Sequence, residues 1–384
     1  MSAASSIIRT LLNVPQAFVS ILILSLFSSL SMAQDTPIFR IGTGATVGNY
    51  FPIGGIIANS ISKPIGSRDC DKGGNCGVRG LLSNSVATEG SVANINGIAD
   101  GLLEGGFAQA DVVYWALKGE HIFRTRGAVG NIRSIANLYP EAMHLVISNT
   151  SGIRSIEDLH DRKVSLGPVG SGSNAGAQLL LETRGVRIAE ENLSYLNDSE
   201  AYEAMLKGDI DGFFTIAGIP ARLVKALADQ SRITLLSLSE VDLDVLQEIY
   251  PFFSAGVIEV GTYRNVPNTP ALLVPAQFLV REDLDDELVY GITKALWHES
   301  TQKKLRDGHE LGHMIVIEKA LDGLIMPLHP GAERFYREIG MIADDSAVEE
   351  ATEALEGEVA AEENEAEVLK GEDNVPATDV PAAE

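Results

Sequence analysis

Short apolar runs alternate with stretches of helical spacing along most of the chain. From residue 38 the pattern predicts a strand at IFRIG (38–42), an amphipathic helix over 52–62 and a strand at VRGLLSNSVA (78–87). Val92, Ile95, Ile98 and Leu102 recur at helical spacing, GGFAQ (105–109) reads as extended, and 112–117 reads as helix. Strands near 132–138 and 144–148 follow. The pattern then restarts with KVSLG (163–167), a glycine- and serine-rich turn, and a helix over 175–183. A helix over 200–207, a strand at 210–216, a helix at 221–228, a strand at 233–238 and a helix at 241–249 come next. A strand at 271–280 and a helix over 284–298 precede two short helices that end by Gly340. This alternation predicts an α/β protein with a mainly parallel sheet, in which strand, glycine-hydroxyl turn and helix occur once in each half.

Both ends depart from that pattern. Arg9 precedes an apolar run over 17–30, and Ser31-Met32-Ala33 then leads into polar Gln34-Asp35. The run is short for a bilayer span, and its small residues suit cleavage after Ala33, so residues 1–33 read as a secretory signal peptide. At the other end, residues 341–384 hold 15 acidic side chains against one Lys and few large apolar residues. Such a segment buries too little to offset its ordering entropy, so 342–384 is expected to be a disordered acidic tail. The 384-residue chain carries a formal charge of −24 and has no long basic run, which excludes nucleic acid as a partner. Cys70 and Cys76 are the two cysteines, and an exported pair at this spacing is expected to close as a disulfide. So small a loop would contribute about 2 kcal/mol, enough to clip a loop rather than to hold the fold.

The candidate chemistry lies in the two strand-to-helix turns. In IGTGATVGNYFPIGG, Gly42 and Gly44 allow close backbone approach and Thr43 supplies a hydroxyl. In LGPVGSGSNAG, Ser171, Gly172 and Ser173 open a helix, where free N–H groups and the helix dipole favour a carboxylate or phosphate. Two such turns, one in each half, imply a cleft between lobes. Nucleotide motifs fail on spacing: Gly42, Gly44 and Gly48 are one residue too widely set for the dinucleotide fingerprint, and no Lys follows the second turn. No cofactor is implied. His309-Glu310-Leu311-Gly312-His313 matches H-E-x-x-H, the alternative reading being a zinc hydrolase with two imidazole ligands and Glu310 as base. Asp307-Gly308 and Gly312 weaken the helix that chemistry needs, and no third ligand follows at the expected spacing.

The ordered stretches IGTGATVGNYFPIGG, TEGSVANINGIADGLLEGGFAQADVVYWALKG, LYPEAMHLVI, VSLGPVGSGSNAGAQLLL, DGFFTIAGIP and PLHPGAERFYREIG closely resemble the TAXI-type solute-binding subunits of TRAP (tripartite ATP-independent periplasmic) transporters. The CDKGGNC insertion and the acidic tail depart from that pattern. The resemblance implies a monomeric, two-lobed periplasmic binding protein of type II-like architecture. It would not be an enzyme; it would deliver a small carboxylate-bearing solute (glutamate, glutamine, or a keto or dicarboxylic acid) to a sodium-coupled permease. It further implies two chain crossings, near 139–146 and 266–272. Residues 34–141 and 269–341 would then form lobe 1, with the C-terminal helices, and 142–268 lobe 2. Site residues carried over by position are Gly42, Thr43, Gly44, Tyr50, Ser91, Asn94, Gln109, Ala110 and Asp111 from one lobe, and Ser171, Gly172, Ser173, Phe214 and Ala217 from the other. Asp111 could hold a ligand ammonium or only cap its own helix.

The leader generates a direct test. Mass spectrometry of the exported protein should find Gln34 as the first residue; an intact leader on the exported form would contradict the cleavage site.

Overall fold

The computed structural model describes residues 38–343. The expected leader, its cleavage point and all but the first two residues of the expected acidic tail lie outside them. The first half runs β1 (Ile38–Gly42), α1 (Tyr50–Ile61), β2 (Ser62–Lys63), β3 (Val78–Arg79), β4 (Leu82–Val86), α2 (Ser91–Ala99), β5 (Gly105–Gln109) and α3 (Ala110–Lys118). The long strand β6 (Ile132–Ser148) leads into β7 (Val164–Ser165), α4 (Gly172–Arg184), β8 (Leu193–Ser194), α5 (Asp198–Lys207), β9 (Gly212–Gly218) and α6 (Arg222–Asp229). Next come β10 (Ile233–Leu235), α7 (Glu240–Ile249) and β11 (Ser254–Ile258). The second long strand, β12 (Thr269–Arg281), returns to the first half, where α8 (Asp286–Trp297), α9 (Glu299–Gly308) and α10 (Pro330–Glu338) follow.

One ten-stranded sheet has the order β4-β1-β5-β12-β6-β9-β7-β8, with β10 on β6 and β11 on β12. The expectation of a mainly parallel sheet is corrected at its centre. The β1–β5, β7–β8 and β7–β9 pairs are parallel, but β12 runs antiparallel to β5, β6 and β11, and β6 runs antiparallel to β9 and β10. The two strands expected at 132–138 and 144–148 are also one strand. Pro140 suggests a break because proline cannot donate a ladder hydrogen bond. Here it faces Pro275 of β12, so the two missing donors coincide at one register position. Register shifts in the same pairing, between Ala276 and Gln277 and between Phe278 and Leu279, add local twist.

Of the segments expected to cross between lobes, 139–146 lies within β6 and 266–272 runs into the start of β12. β6 pairs with β12 from Ile132 to Ala142 and with β9 from Glu141 to Ile147. β12 pairs with β11 over Thr269–Leu273 and with β5 over Ala276–Val280, so it passes between the halves near Pro275. Phe39, Ile53, Ile57, Phe278, Val289 and Leu296 fill a core in the first half, while Val146, Phe213, Val224, Leu227 and Tyr263 fill one in the second. A third cluster runs across the middle, joining Ala110 and Trp115 of α3 to Leu145, Leu180 of α4 and Phe214. Each large apolar side chain so buried contributes about 1.5–3 kcal/mol, so the halves share part of their stabilisation.

Cys70 and Cys76 are joined as expected. Their loop is docked by Asn75, whose Nδ2 donates to the Asn59 carbonyl (2.8 Å) and whose Oδ1 accepts from Lys304 Nζ (2.7 Å). The H-E-x-x-H run does not lie on an α-helix. His309 has extended backbone (φ −150°), and its Nδ1 accepts from the Leu311 N–H to cap a short 3₁₀ turn at Glu310–His313. The paired-imidazole geometry that a helix would create is therefore not formed.

His144 fixes the second half from within. Its Nδ1–H donates to the Ala142 carbonyl (2.8 Å), Tyr263 Oη donates to Nε2 (2.8 Å), and that same hydroxyl accepts from the Ala221 N–H (2.7 Å). Full burial pushes the imidazole pKa down to about 4. A histidine depressed in the folded state takes its proton more readily when unfolded, so stability drops as pH falls from about 6.5 towards 4, by about 1.4 kcal/mol per unit. Urea midpoints at pH 6.5 and 4.5 check this. The acid-side loss should shrink in His144→Gln, and an equal loss in both proteins would count against the network.

Candidate functional site

At the ends of β5 and β9, beside the Pro140–Pro275 step, the sheet leaves a partly open cavity of about 90 Å³. Its first-half wall is the turn after β1 (Gly44, Ala45, Gly48, Asn49, Tyr50), the start of α2 (Gly90, Ser91) and Gln109. Its second-half wall is Pro168, Ser171, Gly172 and Ser173 at the start of α4, with Asn197, Asp198 and Thr215–Ala217. Glu141, on the strand that joins the halves, completes it.

The halves touch around this space. The Ala93 N–H donates to the Gly170 carbonyl (3.0 Å), and Asn49 Nδ2 donates to the Gly218 carbonyl (3.3 Å). Tyr50 Oη donates to Glu141 Oε2 (2.7 Å). Gln109 reaches from β5 towards α4 so closely that a Cβ on Gly172 would stand 1.8 Å from its Oε1; here glycine is demanded by the fit of the two walls.

The hydroxyls at the start of α4 have structural as well as ligand-facing capacity. Ser171 is the N-cap, with its Oγ accepting from the Asn174 N–H (3.0 Å), and Ser173 Oγ accepts from the Ile216 N–H (2.8 Å), tying α4 to β9. Each keeps its O–H proton to donate into the cavity, next to a helix N-terminus that favours negative charge. Ser91 Oγ accepts from the Gln109 N–H (3.1 Å) in the same way.

Eight of the residues expected at the site line the cavity: Gly44, Tyr50, Ser91, Gln109, Ser171, Gly172, Ser173 and Ala217. The other six stand behind the wall. Thr43 is fully buried, and its Oγ1 donates to the Val86 carbonyl (2.7 Å) while its methyl packs against Gly54. Asn94 is equally buried; its Nδ2 donates to the carbonyls of Thr43 (2.6 Å) and Phe107 (2.7 Å), and Oδ1 accepts from Thr88 Oγ1 (2.7 Å). Gly42 makes room for that amide, since a Cβ there would stand 2.5 Å from Asn94 Oδ1. Ala110 and Phe214 belong to the shared core. Asp111 is fully buried at the start of α3; Oδ1 accepts from the Val112 N–H (2.7 Å) and Oδ2 has no protein partner. Burial raises its pKa to about 7.

The acidic groups on the wall, Glu89, Glu141 and Asp198, were missed in the sequence reading, as were Asn49, Asn197 and Thr215. Glu141 is 2% exposed, and burial pushes its pKa up to about 8, opposed by donation from Tyr50 and Gln109 and reinforced by the charges of Asp111 and Asp198. Burial also raises Asp198, whose Oδ1 accepts from Thr215 Oγ1 (3.2 Å). The available signal was a lone acid inside the apolar run LYPEAMHLVI, since an unpaired carboxylate is rarely buried without a role. Among the described residues none of those lining the cavity is Lys or Arg.

The placement of Asn94 generates a prediction. Asn94→Ala removes the amide donations to the buried Thr43 and Phe107 carbonyls and the acceptor of Thr88 Oγ1, so the protein should lose about 2 kcal/mol or more of stability. Chemical denaturation measures it, and a loss below about 0.5 kcal/mol would contradict the bracing role.

Among solved structures the chain is similar to a protein from Bordetella bronchiseptica RB50 at 15% identity, covering 72% of this chain and 75% of that one, with a TM-score of 0.44. It is also similar to an ancestral arginine-binding protein bound to arginine (15% identity, 78% and 97% covered, TM-score 0.39). A third likeness is to the alkanesulfonate-binding protein SsuA from Xanthomonas axonopodis pv. citri bound to MOPS (14% identity, 78% and 83% covered, TM-score 0.38). The NMT1-like family matches residues 41–340, from the end of β1 to just beyond α10, a span that contains every wall of the cavity. The chain belongs to the NMT1-like family.

Proposed function

We propose that this protein is a periplasmic solute-binding receptor that captures a small carboxylate-bearing solute and delivers it to a sodium-coupled permease of the TRAP type. The observation that carries the reading is the cavity itself: about 90 Å³, walled by both halves, with serine hydroxyls and a helix N-terminus on one side. At about 10–15 Å³ of such space per water, it has room for a solute the size of a small amino acid or short organic acid. The solute's carboxylate would sit at Ser171–Ser173, where the O–H protons and the α4 N-terminus supply donors without a basic side chain. The secretory leader pattern and the TAXI resemblance support export and a TRAP partner.

In this reading residues 34–141 and 269–341 form one lobe and 142–268 the other, and the protein acts as a monomer without a cofactor. Opening would break contacts such as Ala93–Gly170 and Asn49–Gly218 while the paired strands β6 and β12 flex.

Titration calorimetry with a panel of amino, oxo and dicarboxylic acids tests the assignment. Ser171→Ala would also remove the helix cap, so Ser171→Gly is the cleaner variant, costing only a few tenths of a kcal/mol in capping. Losing a hydrogen bond to a charged group should weaken binding roughly 10- to 150-fold. Unchanged affinity in Ser171→Gly would show that the Ser171 hydroxyl does not hold the carboxylate.

A further inference from the structure

Among the described side chains that line the cavity, one buried acceptor stands without a protein partner. Gln109 is 3% exposed and its Oε1 has no protein partner. The Gln109 side chain lies against the start of α4, with Oε1 its nearest atom to Gly172. Glu141, 2% exposed, accepts from Tyr50 Oη, and Asp198 stands on the opposite wall. A solute made only of carboxylates and carbonyls would satisfy the serine side of the cavity but bring no donor to Gln109 Oε1 or Asp198 and no counter-charge to Glu141.

We propose that Glu141 is the specificity-determining residue of the site, taking a cationic amine of the solute, and that binding expels a proton from Glu141. The proposal rests on the receptor reading above and narrows it: amine-bearing carboxylates bind, and their oxo-acid counterparts are rejected. The titratable groups packed against Glu141 are Tyr50 from α1, Tyr139 from its own strand, Asp111 from α3 and Asp198 at the start of α5. None is a cation, so the pair of nearby carboxylates and the burial hold a proton on Glu141 near neutral pH in the empty site, consistent with a pKa of about 8. An arriving ammonium supplies the missing counter-charge, and the proton leaves to solvent as Glu141 ionises.

Matched pairs make the test: L-glutamate against 2-oxoglutarate, and L-alanine against pyruvate, by calorimetry at pH 7 in two buffers of different ionisation enthalpy. At least one amino acid should bind about tenfold or more tighter than its oxo acid and release about one proton. Glu141→Gln keeps an acceptor for Tyr50 and should abolish both the preference and the proton release; its melting transition establishes that it is folded. Oxo acids that bind as tightly as the amino acids, or proton uptake on binding, would overturn the proposal and leave the receptor reading standing. Preserved amine preference in folded Glu141→Gln would overturn the role of Glu141. Should neither series bind, both readings fall. If the variant does not fold, the wild-type affinity ratio and the sign of the proton count decide.

Discussion

The pairing of β6 with β12 is the constraint on which the rest of the structure depends. These two strands carry the chain out of the first half and back again, and they are hydrogen-bonded to each other for most of their length. Because β12 also pairs with β5 and β11, and β6 with β9 and β10, one sheet runs through the molecule. The opposition of Pro140 and Pro275 gathers two missing N–H donors at one level of that ladder. Beside this level β5 ends at Gln109 and β9 ends at Gly218, so the sheet opens where the strands change partners. The cavity sits in that opening.

Everything polar in the cavity follows from this placement. Strand ends present Gln109 and Ala217, the joining strand presents Glu141 next to Pro140, and helix starts present Ser91 and Ser171. A helix N-terminus favours negative charge, while a carboxyl forced into an apolar strand resists ionising. Opposite ends of one small space therefore have opposite electrostatic requirements. That polarity, rather than the net charge of −24, governs what the site can accept.

Most elements were legible because their spacing is local. β1, β5 and α4 were readable from alternation, helical spacing and the glycine-serine turn, with boundaries displaced by a few residues. The continuous β6 was not, because Pro140 is a strand breaker by local rules and only the proline opposite, 135 residues later, makes it compatible. The antiparallel centre was hidden for the same reason: strand direction is set by long-range return of the chain. At the site, sequence position alone does not distinguish a residue on a wall from one behind it. Ser171 and Thr43 look equivalent in their turns, yet Thr43 spends its hydroxyl on Val86. Glu141 was passed over because it lies in no turn, although an acid within an apolar strand is the stronger physical signal.

The most direct measurement is a crystal structure of the protein with an amino acid bound. The account predicts electron density inside the β5–β9 cavity, with the solute's carboxylate at Ser171–Ser173 and its amine within hydrogen-bond distance of Glu141. A solute bound outside that cavity, or seated in it with its carboxylate against Glu141, would contradict the account.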